Sequence, residues 1–560
     1  MLIGIDVGGT FTDGVLFDEG KILATVKKST QKDQLQESLL EVLDELLAQA
    51  KGADIARIVL STTLVTNTLA TGQGERTALL MLPGYGLPHH AYNVTEDIYF
   101  LGGAVDFRGR IIEEVDKKQV REALQDIKSK GIKRIAVACK FSNRNHSLEE
   151  QIKALILESD PEFSVTISAE ISGKLNFPRR ATTTYFTAMT LPEWNRFADD
   201  IVAAVKARNI DAEIHILKAD GGTMPLDISR SNPCETVFSG PAASTMGAVA
   251  LSRDGQNSVV VDIGGTTTDI SLLIDGQPLY ASKGARIEKQ YTHINAFAVR
   301  SIALGGDSVI RCRENSIKVG PMRMGAAVCF GGPEPTVTDV FNVYFKLGVG
   351  EPQRSAEALE GLAARGDLTL QSLCFGVVET VIERLKRAIT EMFTEWENEP
   401  AYKVWEVVHR RKFKLDRIIG IGAAAHAMVP VLAEEIGVPA FIHHYSPVAN
   451  ALGAAVVRPT LALRLHVDTA SNLYTVDPGG LKGTLEQPRK FQLADAKVLA
   501  ISCLEEASRQ RGMEKYTVDA SFFMEEQFNM IRGWDRVGRI FEVGIQVAPG
   551  FLEEYQGVSE

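Results

Sequence analysis

Short apolar runs alternate with amphipathic stretches along most of the 560-residue chain. Residues 1–30 carry two apolar runs around a Gly-Gly turn, then KILATVKKST, a pattern that predicts a β-hairpin or meander. Leu35, Leu39, Val42, Leu43, Leu46 and Leu47 fall on one face of a following helix, with Asp33 as its N-cap and Gln36 three residues on. ARIVLSTTLVTNTLAT reads as a strand running into a threonine-rich loop. Two helix-and-strand units come next: Lys117 to Lys130 into RIAVACKF, and Ser147 to Glu158 into FSVTISAEI. RRATTTYFTAMTLPEWNRFADDIVAAVKARN predicts a longer helical region interrupted near Pro192, and EIHILKADGGTMP a strand ending in a glycine turn. A second hairpin opens at about Ser258. Val378, Val381, Leu385, Ile389, Met392 and Trp396 keep helical spacing, which predicts a core-packing helix over about Val377 to Trp396. LDRIIGIGAAAHAMVPVLAEEIG is then strand, glycine turn and helix. This alternation predicts an α/β layered fold.

The last hundred residues differ. Pro-Gly turns at Pro478 to Gly480, a helix near Asp495 to Gln510 and strand-like RIFEVGIQV predict a small C-terminal module. The expected division is 1–180, 181–460 and 461–560, within the range of about three or four domains that the length suggests. A net charge of −11 argues against a nucleic-acid partner, which would need a basic stripe. It also requires that any anion be held by local dipoles and cations. Six scattered cysteines lack C-x-x-C spacing, so buried thiols in a reducing compartment are expected rather than zinc or a redox pair. The amino terminus has no basic n-region, and the least polar stretch, Ile418 to Ala433, falls short of the ~20 residues of a membrane helix. A cytoplasmic protein with no membrane partner is the expectation.

One phrase occurs twice. Asp6-Val-Gly-Gly-Thr-Phe-Thr-Asp13 and Asp262-Ile-Gly-Gly-Thr-Thr-Thr-Asp269 differ only at their second and sixth positions. A Gly-Gly-Thr hairpin turn presents several backbone N–H groups in one direction, a nest for phosphate oxygens. Gly8, Gly9, Gly264 and Gly265 let the backbone approach such a ligand, and the hydroxyls of Thr10, Thr12, Thr266 and Thr267 can add bonds. Asp6 and Asp262 sit at the strand ends before the turns. Beside a polyphosphate at ~4 Å and an effective dielectric of ~20, each would cost on the order of 4 kcal/mol. The arrangement makes sense with a divalent cation between them, and Mg²⁺ bound largely through water is the usual solution. Asp13 and Asp269 either orient water or cap the turns. Gly420 and Gly422 open a third glycine turn, where Ala423 to Ala425 would leave room for a purine and ribose.

This ordered set, with NALGAAVV as a late connecting helix, resembles the actin, sugar kinase and heat-shock chaperone superfamily from Leu2 to roughly Val457. STTLVTNTLATGQGERTALLMLPGY, RRATTTYFTAMTLP, LKADGGTMP, ETVFSGPAASTMGAVAL and GGPEPTVTDVFNVYFKLG are similar to segments of one branch, the hydantoinase A / 5-oxoprolinase family, with Asp339 at that family's aspartate. The resemblance implies two ribonuclease-H-like halves with an inserted α/β region, closing on ATP and Mg²⁺. It further implies phosphorylation of the carbonyl oxygen of a cyclic amide (a hydantoin, 5-oxoproline or related lactam), which is then opened by water. A hydantoinase B-type subunit, and a homo-oligomer, are the protein partners to look for. An ATP-driven activator of a partner enzyme and a small-molecule kinase are the alternatives. Three departures from the family pattern stand out: Leu60-Ser61-Thr62-Thr63 for His-Gly-Thr-Thr, MRMGAAVCFGG without the Pro-Gly-Pro turn, and Gly305-Gly306-Asp307-Ser308 for Gly-Gly-Gly-Ser. These are expected on the substrate side, away from the ATP loops. Arg179 and Arg180 could hold a substrate carboxylate or merely open a solvated helix. The pairs His89-His90 and His443-His444 read as loop residues.

Overall fold

The structure is a computed structural model describing residues 1–31, 34–399, 412–533 and 535–558. Two central sheets repeat one topology. In the first, Leu2–Val7 pairs antiparallel with Phe11–Asp18 and parallel with Arg57–Thr62. In the second, Ser258–Ile263 pairs antiparallel with Thr268–Ile274 and parallel with Arg417–Ile421. Both inner strands are largely buried, which suits their content of Ile and Val. The first sheet is extended on one side by Lys21–Ser29 and on the other by Glu213–Leu217 and Thr223–Pro225, strands from well beyond residue 180.

The inserted region is a four-stranded parallel sheet in the order Ser164–Ile167, Arg134–Cys139, Thr77–Leu82, Ile98–Phe100. Its helix Lys117–Ser129 starts where Asp116 accepts the Lys118 and Gln119 amide protons. At the other end of the chain, LALRLHVD (Leu461–Asp468) alternates buried and half-buried positions along its length. It is central to a five-stranded antiparallel sheet that the helix Leu493–Arg509 covers. The module is tied back to the rest: the Leu552 amide donates to Val456 O at 2.9 Å, and the Tyr555 hydroxyl to Ala250 O at 2.9 Å.

Several local expectations change. Residues 64–71 form a helix, Leu64–Thr71, not a loop; Val65 and Leu69 are buried, and Thr68 and Thr71 return their hydroxyls to the carbonyls four residues back. Pro192 lies inside the continuous helix Phe177–Ala207 without ending it. Buried side chains on both sides of the proline hold the helix together, among them Trp194, whose indole donates to Ser229 Oγ at 2.9 Å. The helix Leu35–Ala50 has Gln34 at its N-cap position, while Asp33 lies outside the described residues. The core-packing helix runs from Leu370 to Glu397 and buries Val378, Val381, Leu385, Ile389 and Met392, with Trp396 half-buried.

The two halves meet through two small-residue helices, Ser239–Ser252 and Ala449–Val456. A side chain on Gly453 would collide with Ala243 O and the Gly247 backbone, and one on Gly247 with Ala449 O. Gly4 likewise admits the second helix directly against the first sheet. Because the neighbours are backbone, they cannot step aside. Gly453→Val is therefore expected to destabilise the protein by ~3 kcal/mol. Chemical denaturation would show this as a lower midpoint, with Gly361→Val in an open helix position as the control.

Candidate functional site

The turns of the two hairpins face each other. A methyl built on Gly265 would stand 3.3 Å from the Thr10 methyl. Each turn closes the same way, Gly8 N–H donating to Phe11 O and Gly264 N–H to Thr267 O, both at 3.0 Å. Register sets Asp6 directly opposite Asp13, and Asp262 opposite Asp269. Asn450, at the start of the connecting helix Ala449–Val456, donates to Asp6 Oδ2 at 3.2 Å and lies close enough to Asp262 to lower its carboxyl slightly. One side chain thus stands beside both strand-end carboxylates.

These acids sit in poor solvent. Burial pushes Asp6 up from 3.8 to about 7, against hydrogen bonds from Ser61 and Asn450, while Asp13 and Asp262 add repulsion. Burial likewise raises Asp13 to about 6 despite its ion pair with Lys27 Nζ at 2.6 Å. Asp269 is pushed up to about 6, and Asp262 is raised although Ser244 donates to it. Asp6 Oδ1 is buried with no hydrogen-bond partner. Lys27, whose ammonium also donates to Pro447 O at 3.0 Å, is the cation that faces this cluster. The orphan acceptor on Asp6 leaves a valence that a cation can fill, and Gly9, beyond whose Cα lies open space, leaves room for a ligand against the first turn.

The expected site residues divide. Gly9 and Gly264 are exposed at the tips, with Thr10, Gly265 and Thr266 half-exposed beside them; Thr267 is exposed and Gly8 lies at the turn's base. Thr12 faces inward, its hydroxyl 2.9 Å from Thr30 Oγ1, and its counterpart Thr268 donates to Leu304 O. Gly422, at φ +87°, belongs to the cleft: a Cβ there would come within 2.7 Å of Asp262 Oδ1. Gly420 instead packs under Val429, Ile442 and Ala425, where it lets a helix lie on the strand.

Two of the departures from the family pattern are at the cleft rather than away from it. The Gly306 and Asp307 amides donate to Gly264 O and Gly265 O at 2.9 and 2.8 Å, and Arg323 Nε holds Asp307 at 2.8 Å. Ser61, in the position of the family's glycine, stands across the strand pair from Asp6 and lowers its carboxyl against the effect of burial. Other candidates prove structural. Asp339 is buried and accepts from the Val328, Cys329 and Thr336 amides and from the Thr336 and Ser355 hydroxyls. Arg180 is buried and donates to Ser168 Oγ, Lys174 O and Cys139 O. His89 stacks on Phe100 at 4.1 Å. Lys27, Ser244 and Asn450 were not identified from the sequence. Asn450 had a signal, being a lone amide in the apolar run ANALGAAVV, but Lys27 needs the strand register that sets it opposite Asp13.

The sign of the pH effect follows from these shifts. A carboxyl raised in the fold binds its proton more tightly there than in the unfolded chain, so its contribution is fully present below about pH 4 and lost as pH rises through about 6 to 7. The ligand-free protein is expected to melt at lower temperature at pH 8 than at pH 5. Asp6→Asn should raise the melting temperature at pH 8, and by less at pH 5. Thermal melts of both proteins across that range would check it.

A family model described as Hydantoinase/oxoprolinase matches residues 180–462, and one described as Hydantoinase/oxoprolinase N-terminal region matches residues 2–159. The caprolactamase subunit alpha of Pseudomonas jessenii is 25% identical over 479 residues, 78% of this chain and 67% of that one. The acetophenone carboxylase gamma subunit of Aromatoleum aromaticum is 25% identical, over 60% of this chain and 52% of its own length. The 5-oxoprolinase of Saccharomyces cerevisiae is also 25% identical, over 80% of this chain but 40% of its own length. The chain thus spans about two thirds or less of these relatives. Among solved structures, a nucleotide-free acetone carboxylase and the ATP-dependent caprolactamase of Pseudomonas jessenii each superpose with TM-score 0.70 at 18% identity. They cover 98% and 97% of this chain, and 87% of each of theirs. That similarity shows the fold, in keeping with two related α/β halves and an inserted sheet.

Proposed function

Because the chain belongs to the hydantoinase/oxoprolinase family, we propose that it is an ATP-dependent enzyme that opens a cyclic amide by phosphorylating its carbonyl oxygen. The observation that carries this reading is the meeting of the two glycine turns, Thr10 against Gly265, with Asp6 and Asp262 both beside Asn450 behind them. The names of two relatives, caprolactamase and 5-oxoprolinase, point to cyclic amides, and one solved relative is titled ATP-dependent. The terms subunit alpha and gamma subunit support a partner subunit, such as a hydantoinase B-type chain.

In this reading the turns at Gly8 to Thr10 and Gly264 to Thr267 bind the phosphates through backbone N–H groups other than those of Gly8 and Gly264, which close the turns. Gly422 and the alanines after it accept the adenosine. Asp6 and Asp262 would hold Mg²⁺, which supplies neutralisation of phosphate charge when bound. Among the described residues no three His, Cys, Asp or Glu side chains form a closed cage, so phosphate and water would complete the ion's shell. The lactam oxygen attacks the γ-phosphorus and ADP departs, leaving an imidate whose carbon is open to water. Addition of water and cleavage of the C–N bond free the amine, and a second water releases phosphate from the carboxyl. The chain's part in the first step is alignment and a water-poor cleft. Lys27 keeps Asp13 ionised beside the turn, and Ser61 and Ser244 hold the two strand-end carboxylates in place.

The test is ATP turnover by the full chain, alone and with a B-type partner, against hydantoin, 5-oxoproline and caprolactam. One of them should raise ADP release with matching ring opening. Asp262→Asn should lower kcat roughly 100-fold without lowering the melting temperature. A rate of ATP hydrolysis that is the same with every lactam and with none would sink the reading, and a stable phosphorylated product by mass spectrometry would make the protein a kinase.

A further inference from the structure

A sizeable cavity lies apart from the cleft between the hairpins. It encloses about 660 Å³ where the end of the first sheet, the second half and the C-terminal module meet. Its lining carries four cationic side chains, Lys174, Lys218, Arg464 and Arg511, against three acids, Asp220, Glu235 and Asp477. The acids are engaged. Asp220 is held by Lys218 at 3.0 Å, the Gly222 amide at 2.9 Å and Thr460; Glu235 lies 3.5 Å from Lys218, and Asp477 accepts the Gly173 amide proton.

The cations are less complete. Lys174 donates to two neutral acceptors, His293 O and Asn295 Oδ1, each at 2.8 Å. Arg464 has no hydrogen-bond or ion-pair partner among the described residues and rests on the Phe523 ring at 5.5 Å. It stands directly across the strand pair from Asp477, whose carboxylate is already turned to Gly173. His293 presents a buried Nε2 without a partner. Burial and the neighbouring Lys174 pull this imidazole down to about 3, so it is neutral at pH 7 and adds no charge to the cavity. The open valence is therefore for an anion. Met224, Met246, Phe523 and Phe551 line the same space, an apolar surface that suits a hydrocarbon body better than inorganic phosphate.

We propose that this cavity binds a small organic carboxylate, its oxygens on Arg464 and Lys174 and its carbon chain along the methionine and phenylalanine wall. The site stands apart from the cleft between the hairpins and does not depend on the reading of that cleft. Its occupant touches all three parts of the chain at once, since Lys174 and Lys218 come from the first part, Tyr280 and His293 from the second and Arg464 from the module. Binding would therefore brace the module against both halves.

Calorimetric titration of the full chain with hexanoate and glutamate tests this, with hexanamide as the neutral isostere of hexanoate and inorganic phosphate as the small anion. At least one carboxylate should bind saturably, and hexanamide and phosphate should not. Arg464→Gln and Lys174→Met should each weaken the carboxylate roughly tenfold or more, with nucleotide affinity unchanged. Arg464→Lys should restore part of the loss, and equal melting temperatures of the unliganded variants would show that the fold is intact. Failure of both carboxylates at millimolar concentration, equal binding of hexanamide or phosphate, or undiminished binding by the variants overturns the proposal. Displacement by nucleotide overturns it as well, because it would place the ligand in the other cleft.

Discussion

Two strand-end carboxylates, Asp6 and Asp262, lie beside a single amide, Asn450, which donates to Asp6. Burial disfavours the charged carboxylate and the neighbouring acids add repulsion, which is why Asp6 rises to about 7. The rest of the architecture follows from keeping this arrangement in place. Each acid is backed by a hydroxyl, Ser61 or Ser244, and each faces a second acid across its own hairpin. A fold that needed only stability would place apolar residues at these positions. Both hairpins place acids at equivalent strand ends, an arrangement that suits a charged ligand.

The packing that brings the copies together is made of small residues. Gly4, Gly247 and Gly453 remove side chains where the helices Ser239–Ser252 and Ala449–Val456 cross each other and the first sheet. Backbone then approaches backbone, and Asn450 is carried to within reach of Asp6. The same close contact that makes the interface intolerant of bulk gives the site its geometry. The loop at Gly305 to Asp307 adds a third layer, donating amide protons to the carbonyls of Gly264 and Gly265 and placing Asp307 at the rim with Arg323.

The cleft and the large cavity differ in kind. The first is rich in carboxyls and glycine turns, with Lys27 as its facing cation, and suits a cation-bearing phosphate group. The second has incompletely paired cations against an apolar wall. They lie at different junctions of one chain. Thr223 and Thr460 tie the edge of the first sheet to the start of the module: Thr223 N–H donates to Arg458 O, and Thr460 N–H to Thr223 O, both at 3.1 Å.

Local pattern carried much of this protein. Alternating apolar strands, the duplicated Gly-Gly-Thr phrase and the strand-end aspartates are short-range features, and each predicts its own hairpin and turn from a few neighbouring residues. The family resemblance likewise rests on contiguous motifs. What lies between segments was decided by the tertiary structure alone. Thr12 and Gly420 look like ligand contacts in the sequence but face inward, because the pleat and the overlying helix give their side-chain directions to packing. Asp339 and Arg180 resemble site residues and are instead spent on buried networks. Lys27, Ser244 and Asn450 reach the cleft from 14, 18 and 444 residues away from the aspartates they touch. No local rule reports such a distance, since a hydrogen bond depends on where two side chains finish and not on how far apart the chain carries them.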